Sequence, residues 1–278
     1  MNLKKRLFGY SLLIAGATIF SLEPEVAHSF NIIKTPYRNQ YLNTELRGDI
    51  PLFKLSTHPL ITISAVKIIS DEDIRIEATD YLTELIEGTV NEDIPPARSL
   101  NHFYSPISGM GQALPALTWV RGKFESAKEQ YNIGDKAQAY RDIGHILHII
   151  QDLHVGEHVF IIQHITHVIG NKFEKGSKFE TYAEEVYGGR LEDFIIRDKL
   201  SFSIPEIKRY GSFEAYIKET AQSTYDYYLG FLEGHNNIRN LQHLTPQQLE
   251  DIANNQIPHA ISASAGFIEL FYNTVNRK

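Results

Sequence analysis

The chain has 278 residues, of which 42% are hydrophobic and 22% are charged, values typical of a soluble globular protein that can bury a sizeable core. This composition excludes a disordered chain, a collagen-like chain and a polytopic membrane protein. A net charge of −7 without a basic stripe argues against tight binding of duplex nucleic acid. Because cysteine is absent, a transition metal would have to be bound by His, Asp and Glu side chains.

Residues 1–29 have the pattern of a secretory signal peptide. Basic residues at 4–6 precede an apolar stretch at 7–22, which is short for a membrane span, and small residues lie just before Phe30. We therefore expect cleavage before Phe30 and a mature protein that is secreted or periplasmic, without a transmembrane helix. The mature chain, 30–278, shows no convincing linker and is predicted to form one domain.

The predicted elements of the mature chain are helices. Caps, glycine stops and apolar spacing predict helices over 57–70 and 71–88, followed by a long loop over 91–118. Two helices over 119–133 and 135–153 are broken at Gly134, and the stretch over 154–177 is ambiguous. The remaining predicted helices cover 178–188 and 212–233, a short segment starting at Thr245, and 259–275. Strand-like alternation is weak everywhere. We predict an all-α fold, a single compact multi-helix domain with its active site among helices and loops.

The histidines are concentrated in one part of the chain, with six of the 12 between positions 145 and 167. His148 and Asp152 are spaced i, i+4, so a helix would place both on one face, where they could bind one cation. His158 follows after Gly156, which allows a turn back towards that face. His145 is on a similar face and is expected to hydrogen-bond a backbone carbonyl or to lie behind the ligands.

Other candidate ligands come from outside this helix. In the predicted loop, Glu92 and Asp93 lie upstream of His102, so the loop could hold a metal ion between its two ends. His58 lies close to a helix start. Each of these residues alone is better explained as a capping or solvent-facing side chain, and only their combination indicates a site.

The candidate residues follow one another along the chain as His58, Asp93, His102 within the sequence NHFYSP, the H-x3-D-x5-H segment and Glu180 within KFETYAEE. This order resembles that of the bacterial zinc-dependent phospholipases C. The resemblance covers roughly residues 55–186, and a more distant similarity links the chain to the three-zinc nucleases that cut single strands. It implies an all-helical domain that binds up to three zinc ions and hydrolyses phospholipids, releasing a phosphorylated head group through a zinc-bound hydroxide. The implied partner is a phospholipid, at a membrane surface or as a monomer, and no stable nucleic acid is expected.

The resemblance also implies a role for each residue. Asp152 would bridge two zinc ions, and Asp93 would be both a ligand and a possible catalytic proton acceptor. The implied metal ligands are Phe30 (through its backbone amine and carbonyl), His58, Asp93, His102, His148, Asp152, His158 and Glu180. Glu92 is the alternative to Asp93.

The sequence departs from the family four residues before Glu180, where Gly176 stands in place of an expected histidine. Either His164 or His167 replaces that ligand, with His154 a weaker substitute, or one zinc position is damaged. Two alternatives to the phospholipase therefore stay open. One is a three-zinc nuclease or nucleotidase, and the other is a non-catalytic scaffold that has lost a ligand at Gly176.

Overall fold

The computed structural model describes residues 57–93, 100–112, 115–162, 177–186, 204–232, 241 and 243–277. The predicted signal segment, Phe30, and the stretch with His164, His167 and Gly176 lie outside these residues. The helices are α1 (Thr57–Ile68), α2 (Glu72–Asp80), α3 (Leu82–Asn91), α4 (Ala116–Asn132), α5 (Lys136–Asp152), α6 (Gly156–Phe160), α7 (Lys178–Val186), α8 (Phe213–Leu232) and α9 (Pro246–Asn276). No strand occurs in the described part of the chain, so the predicted all-α class is confirmed.

The central element is α5, which packs against α3 on one side and α4 on another and also contacts α9. From position 142 to its end at Asp152, every residue of α5 is buried. Its apolar residues Ile143, Ile146, Leu147 and Ile150 are completely inaccessible to solvent. The histidines and carboxylates that α5 carries are therefore held inside the protein rather than on a solvated helix face.

The segment predicted as one helix over 71–88 is two helices, and Gly88 is not a stop. The chain breaks at Tyr81, and α3 continues through Gly88 to Asn91. Gly88 instead allows a close approach of α3 to α5, because a Cβ there would overlap the carbonyl of Arg141 and lie 2.9 Å from the Cα of Gly144. This contact brings the end of α3, and with it Asp93, against the part of α5 that carries His148.

The break predicted at Gly134 is present, between α4 and α5. Gly134 has a φ of 90°, a conformation that favours glycine, and Asp135 caps α5 by accepting a hydrogen bond from the backbone N–H of Gln138. The predicted loop over 91–118 is shorter at both ends, because α3 runs to Asn91 and α4 begins at Ala116.

The two helices predicted near the C-terminus are one helix of 31 residues, α9. It starts as predicted at Thr245, whose side chain forms a capping box with Gln248. Leu249, Ile252 and Ile257 continue a buried stripe through the region where the prediction had a gap, so tertiary packing keeps the segment helical despite Pro258. No helix among the described residues is both long and apolar enough to span a lipid bilayer.

Candidate metal centre

The site is assembled from five helices and one loop around the C-terminal end of α5. The structure brings together seven of the eight predicted ligands, and the eighth, Phe30, lies outside the described residues. They are His58 at the start of α1, Asp93 just after α3, His102 in the loop before α4, His148 and Asp152 on α5, His158 on α6 and Glu180 on α7. Within this set three groups have ligand atoms close enough to share an ion: His58, His148 and Asp152; Asp93, His102 and His148; and Asp152, His158 and Glu180.

Asp152 is the centre of the arrangement and is only 2% exposed. Its Oδ1 lies 3.3 Å from Nε2 of His58, and its Oδ2 lies 2.7 Å from Nδ1 of His102. Oδ2 is also 3.3 Å from Nε2 of His148 and 3.8 Å from Nε2 of His158. Because its two oxygens face different imidazoles, one carboxylate could serve two cations, as the bridging role predicted for Asp152 requires.

The donor spacing fits zinc. In a tetrahedral zinc site with bonds near 2.1 Å, neighbouring ligand atoms are about 3.4 Å apart. Asp93 Oδ1 lies 3.5 Å from His148 Nε2 and 3.9 Å from His102 Nδ1. These separations leave room for an ion between the three side chains. Imidazole nitrogen and carboxylate oxygen, with no sulfur, are also donors that zinc accepts.

The third group depends on the sharp turn from α5 into α6. The backbone N–H of Val155 donates to the carbonyl of Asp152 at 2.8 Å, and this turn points His158 back towards the end of α5. His158 Nε2 then lies 3.1 Å from Oε1 of Glu180 on α7. The turn predicted near Gly156 is present, and Gly156 also allows close packing, because a Cβ there would lie 2.8 Å from the ring of Tyr228.

Burial and mutual charge shift the pKa values of the central groups. Burial raises the pKa of Asp152, but the surrounding imidazoles outweigh it and hold this pKa well below its ordinary value. Burial lowers the pKa of His148, but the carboxylates of Asp152 and Asp93 raise it to about 10. The pKa of His102 is likewise raised, against burial, by Asp152 and Glu92. In the metal-free protein, a proton on His148 therefore supplies positive charge that the carboxylates attract.

The open choice between Glu92 and Asp93 is narrowed by the geometry. Asp93 belongs to a group that could hold a metal, and its side chain is 16% exposed, whereas Glu92 is completely buried behind His102. Glu92 Oε2 is 2.6 Å from His145 Nδ1, and Oε1 is 3.6 Å from His102 Nε2. Burial raises the pKa of Glu92, but these two imidazoles lower it to about 2. This arrangement favours Asp93 as the ligand. His145 lies beside Glu92, behind the ligands, and its Nδ1 faces this carboxylate rather than a backbone carbonyl.

His154 does not take the place left by Gly176 in this structure. Its Nδ1 is 3.1 Å from Oε1 of Gln256 on α9, and it is in none of the groups that could hold a metal. Burial lowers its pKa to about 3, with the hydrogen bond to Gln256 opposing the shift. Among the described residues, the group around His158 therefore contains one imidazole.

Sequence reasoning missed the groups that hold the ligand rings in place. His58 Nδ1 donates to the side-chain oxygen of Gln151 at 2.8 Å, and the amide nitrogen of Gln151 donates to Thr62. His148 Nδ1 donates to the backbone carbonyl of Thr89 at 2.8 Å. No signal in the sequence marks a backbone carbonyl, whereas the position of Gln151 beside Asp152 could have suggested a polar residue facing the site. Phe103, which follows His102, is buried and stacks on His158 with ring centroids 4.7 Å apart.

Comparison with solved structures identifies the fold. No protein-family model matches the sequence, and no curated protein sequence matches it. The structure matches the alpha toxin from Clostridium absonum with a TM-score of 0.60 and 21% identity, over 82% of this chain and 66% of that one. It matches the alpha toxin from an avian strain of Clostridium perfringens with a TM-score of 0.56 and 16% identity, over 80% and 64%. The chain has the fold of the Clostridium alpha toxins.

This likeness confirms, at the level of the fold, the resemblance to the bacterial zinc-dependent phospholipases C that the sequence motifs indicated. The chain spans slightly less than two thirds of the length of either alpha toxin. With about one residue in five identical, the shared feature is the helical architecture, and the chemistry has to be argued from the side chains of the site.

Proposed function

We propose that the protein is a zinc-dependent hydrolase of phosphodiester bonds and that its substrate is a phospholipid, from which it releases the phosphorylated head group as a phospholipase C. The observation that carries this proposal is the convergence of His58, Asp93, His102, His148, Asp152, His158 and Glu180 on one buried cluster. The alpha-toxin fold supports the choice of a phospholipid over other phosphodiesters.

The donor set fits zinc, which when bound would act as a Lewis acid on the phosphoryl oxygens and lower the pKa of water. Asp152 would hold two cations through its separate oxygens and offset part of their mutual repulsion. His58, His102 and His148 would supply neutral nitrogen ligands, and Glu180 with His158 would hold a further position.

Asp93 is the candidate catalytic residue. Its side chain is 16% exposed, whereas those of Glu180 and Asp152 are 10% and 3% exposed, so Asp93 is the most exposed carboxylate of the cluster. A carboxylate at the solvent-facing edge of the cluster could accept a proton from an attacking water molecule while it also holds a metal ion. We therefore assign Asp93 both roles, and we keep Phe30 as the ligand expected from the mature N-terminus.

The deciding experiment measures bound zinc in the protein purified after export, with residues 1–29 removed, and then compares hydrolysis of a choline phospholipid analogue with cleavage of single-stranded DNA. We expect two or three zinc ions per chain and activity on the phospholipid alone. Cleavage of DNA only would support the nuclease alternative. A protein that folds but binds no zinc would contradict the proposal and favour a non-catalytic scaffold.

We also propose export of the chain with removal of residues 1–29, which the basic and apolar pattern of that segment supports. N-terminal sequencing of the protein recovered outside the cytoplasm should begin at Phe30. An intact Met1 on the exported protein would argue against a role of the Phe30 amine in metal binding.

A further inference from the structure

The imidazoles of the cluster are held from behind by different kinds of group. His58 Nδ1 donates to the amide oxygen of Gln151, and His148 Nδ1 donates to a backbone carbonyl. Both acceptors are neutral. In each case the hydrogen bond fixes one proton on the outer nitrogen, so that the neutral ring presents the lone pair of its inner nitrogen to the centre of the cluster.

His102 differs because the group behind it is a carboxylate. Its Nδ1 faces Asp152 at 2.7 Å, and its outer nitrogen, Nε2, faces Oε1 of Glu92 at 3.6 Å. An ionised carboxylate has no proton to donate, and at 3.6 Å its interaction with Nε2 is electrostatic, so its negative charge favours the tautomer with the proton on Nε2. That tautomer leaves the Nδ1 lone pair free for a metal ion beside Asp152.

Glu92 is itself held in place from the other side. Its second oxygen, Oε2, is 2.6 Å from Nδ1 of His145 on α5. Glu92, His145 and His102 are 0%, 6% and 1% exposed, so the chain of three side chains is sealed from solvent. A carboxylate buried this deeply would be costly without partners, and its two imidazole neighbours explain how the fold retains it.

We propose that Glu92, anchored by His145, is a positioning residue that fixes the tautomer and orientation of His102 for metal binding. The inference rests on the proposed zinc site and adds to it a carboxylate that is not a ligand. An anionic acceptor also makes the His102 nitrogen more basic than a neutral acceptor would, which strengthens its bond to a cation. This role explains why two adjacent carboxylates, Glu92 and Asp93, follow α3: Asp93 faces the proposed metal position, and Glu92 faces the outer nitrogen of His102.

The test compares zinc affinity, measured by competition with a chromophoric chelator, in the wild type, Glu92→Gln and Glu92→Leu. The Gln variant keeps the shape and one acceptor oxygen, but its NH2 group must face one of the two imidazoles, so we expect roughly tenfold weaker binding of the affected ion. The Leu variant removes both acceptors and should bind that ion roughly 100-fold more weakly. The visible spectrum of the Co²⁺-substituted protein should change in both variants, because the geometry at His102 changes.

The matched control is Asp142→Asn, which alters another buried carboxylate of the α4–α5 region that contacts Lys123 and Ser126 rather than the cluster. This variant should lose thermal stability while its zinc affinity and Co²⁺ spectrum stay as in the wild type. If the wild type holds zinc and Glu92→Leu binds it equally well with an unchanged spectrum, the positioning role is wrong while the proposed function stands. If the wild type binds no zinc, both proposals are overturned together.

Discussion

Two aspartates of α5, ten residues apart, show how the same side chain is buried in two different ways. Asp142 and Asp152 are each 2% exposed. Asp142 accepts hydrogen bonds from Lys123 Nζ at 2.9 Å, Ser126 Oγ at 2.6 Å and Gln138 Nε2 at 3.2 Å. Its charge is matched by a lysine ammonium within the protein, so the pair needs nothing from outside to be stable.

Asp152, by contrast, is surrounded by imidazoles. The nitrogens of His58, His102, His148 and His158 lie between 2.7 and 3.8 Å from its oxygens. An imidazole neutralises the charge of a carboxylate only while it is protonated. A neutral imidazole carries no charge, but its free nitrogen can bind a cation that does. The negative charge of Asp142 is therefore neutralised within the protein by Lys123. The negative charge of Asp152 is neutralised only when the surrounding imidazoles take up protons or when metal ions bind.

The largest effect that this comparison predicts is that of Asp152→Asn. A neutral amide cannot offset the charge of two cations, so we expect hydrolytic activity to fall by roughly 10³-fold or more. Bound zinc, measured by elemental analysis, should fall by at least one ion per chain. Full zinc content together with full activity in this variant would show that Asp152 does not bridge.

Asp142→Asn is the corresponding variant in the N-terminal half of α5. It should lower the stability of the fold and leave zinc binding and activity unchanged. It leaves Lys123 without its carboxylate partner. The ammonium is 21% exposed and can be partly hydrated, so we expect a loss of about 2 kcal/mol in the free energy of unfolding. Zinc content and activity of the folded variant should be unchanged. A loss of zinc here would mean that the two ends of α5 are not independent.

Removing zinc perturbs only the Asp152 end of the comparison, and its expected effect on stability is larger than that of Asp142→Asn. A ligand that binds only the folded state, as zinc would here, stabilises that state by about 4 kcal/mol at a free concentration 1,000 times its Kd. Chelation should therefore lower the Tm by roughly 10 °C for a domain of this size, as measured by calorimetry with and without chelator. Asp142→Asn should show the same zinc-dependent shift from a lower starting Tm, whereas in Asp152→Asn the shift should be much smaller.

The sequence predicted which His, Asp and Glu side chains lie together better than it predicted the helix boundaries. The spacing of His148 and Asp152 depends only on helical geometry, so it could be read directly and the two side chains are found together in the cluster. The distant ligands His58 and Glu180 could be added only through the family resemblance, because nothing local links them to α5. Their convergence follows from tertiary packing of α1 and α7 that no periodicity encodes.

The errors in the helix predictions also have a tertiary cause. Gly88 has the usual appearance of a helix stop, yet it is buried in α3 where two backbones meet. Pro258 lies in the gap between the two helices predicted near the C-terminus, yet α9 continues through it because the residues on both sides belong to one buried stripe. In both cases a local signal was overridden by a packing requirement that lies on another helix.

The close contact between α3 and α5 lies at Gly144, between Asp142 and Asp152 along α5. Substitution of this glycine tests the contact. A Cβ on Gly144 would overlap the carbonyl of Leu85 and lie 2.9 Å from the Cα of Gly88, so Gly144→Ala must push α3 away. We expect a loss of about 3 kcal/mol in denaturant unfolding and weaker zinc binding, because Asp93 moves with α3. The control is Gly122→Ala on α4, where nothing lies within 4 Å, and it should raise stability by up to about 1 kcal/mol. Equal stability of the two variants would rule out the close contact.

The smallest predicted effect is the exchange of protons for metal at the Asp152 end of α5. The raised pKa of His148, about 10, means that its imidazole carries a proton at pH 7.5 in the metal-free protein, and the pKa of His102 is shifted in the same direction. This protonation stabilises the metal-free fold fully below the ordinary pKa of 6.5, and the contribution is lost as the pH rises through 10.

Zinc requires neutral imidazoles, so its binding must displace these protons, and its affinity must rise with pH. Titration calorimetry in two buffers of different ionisation enthalpy should detect release of about one proton from His148, with a further contribution from His102. The affinity should fall about tenfold per proton for each unit of pH decrease below 7.5. Asp142→Asn should release the same number of protons, because Lys123 takes no part in the exchange. Zinc binding without proton release would show that the imidazoles are already neutral, and the contrast between the two aspartates would then rest on geometry alone.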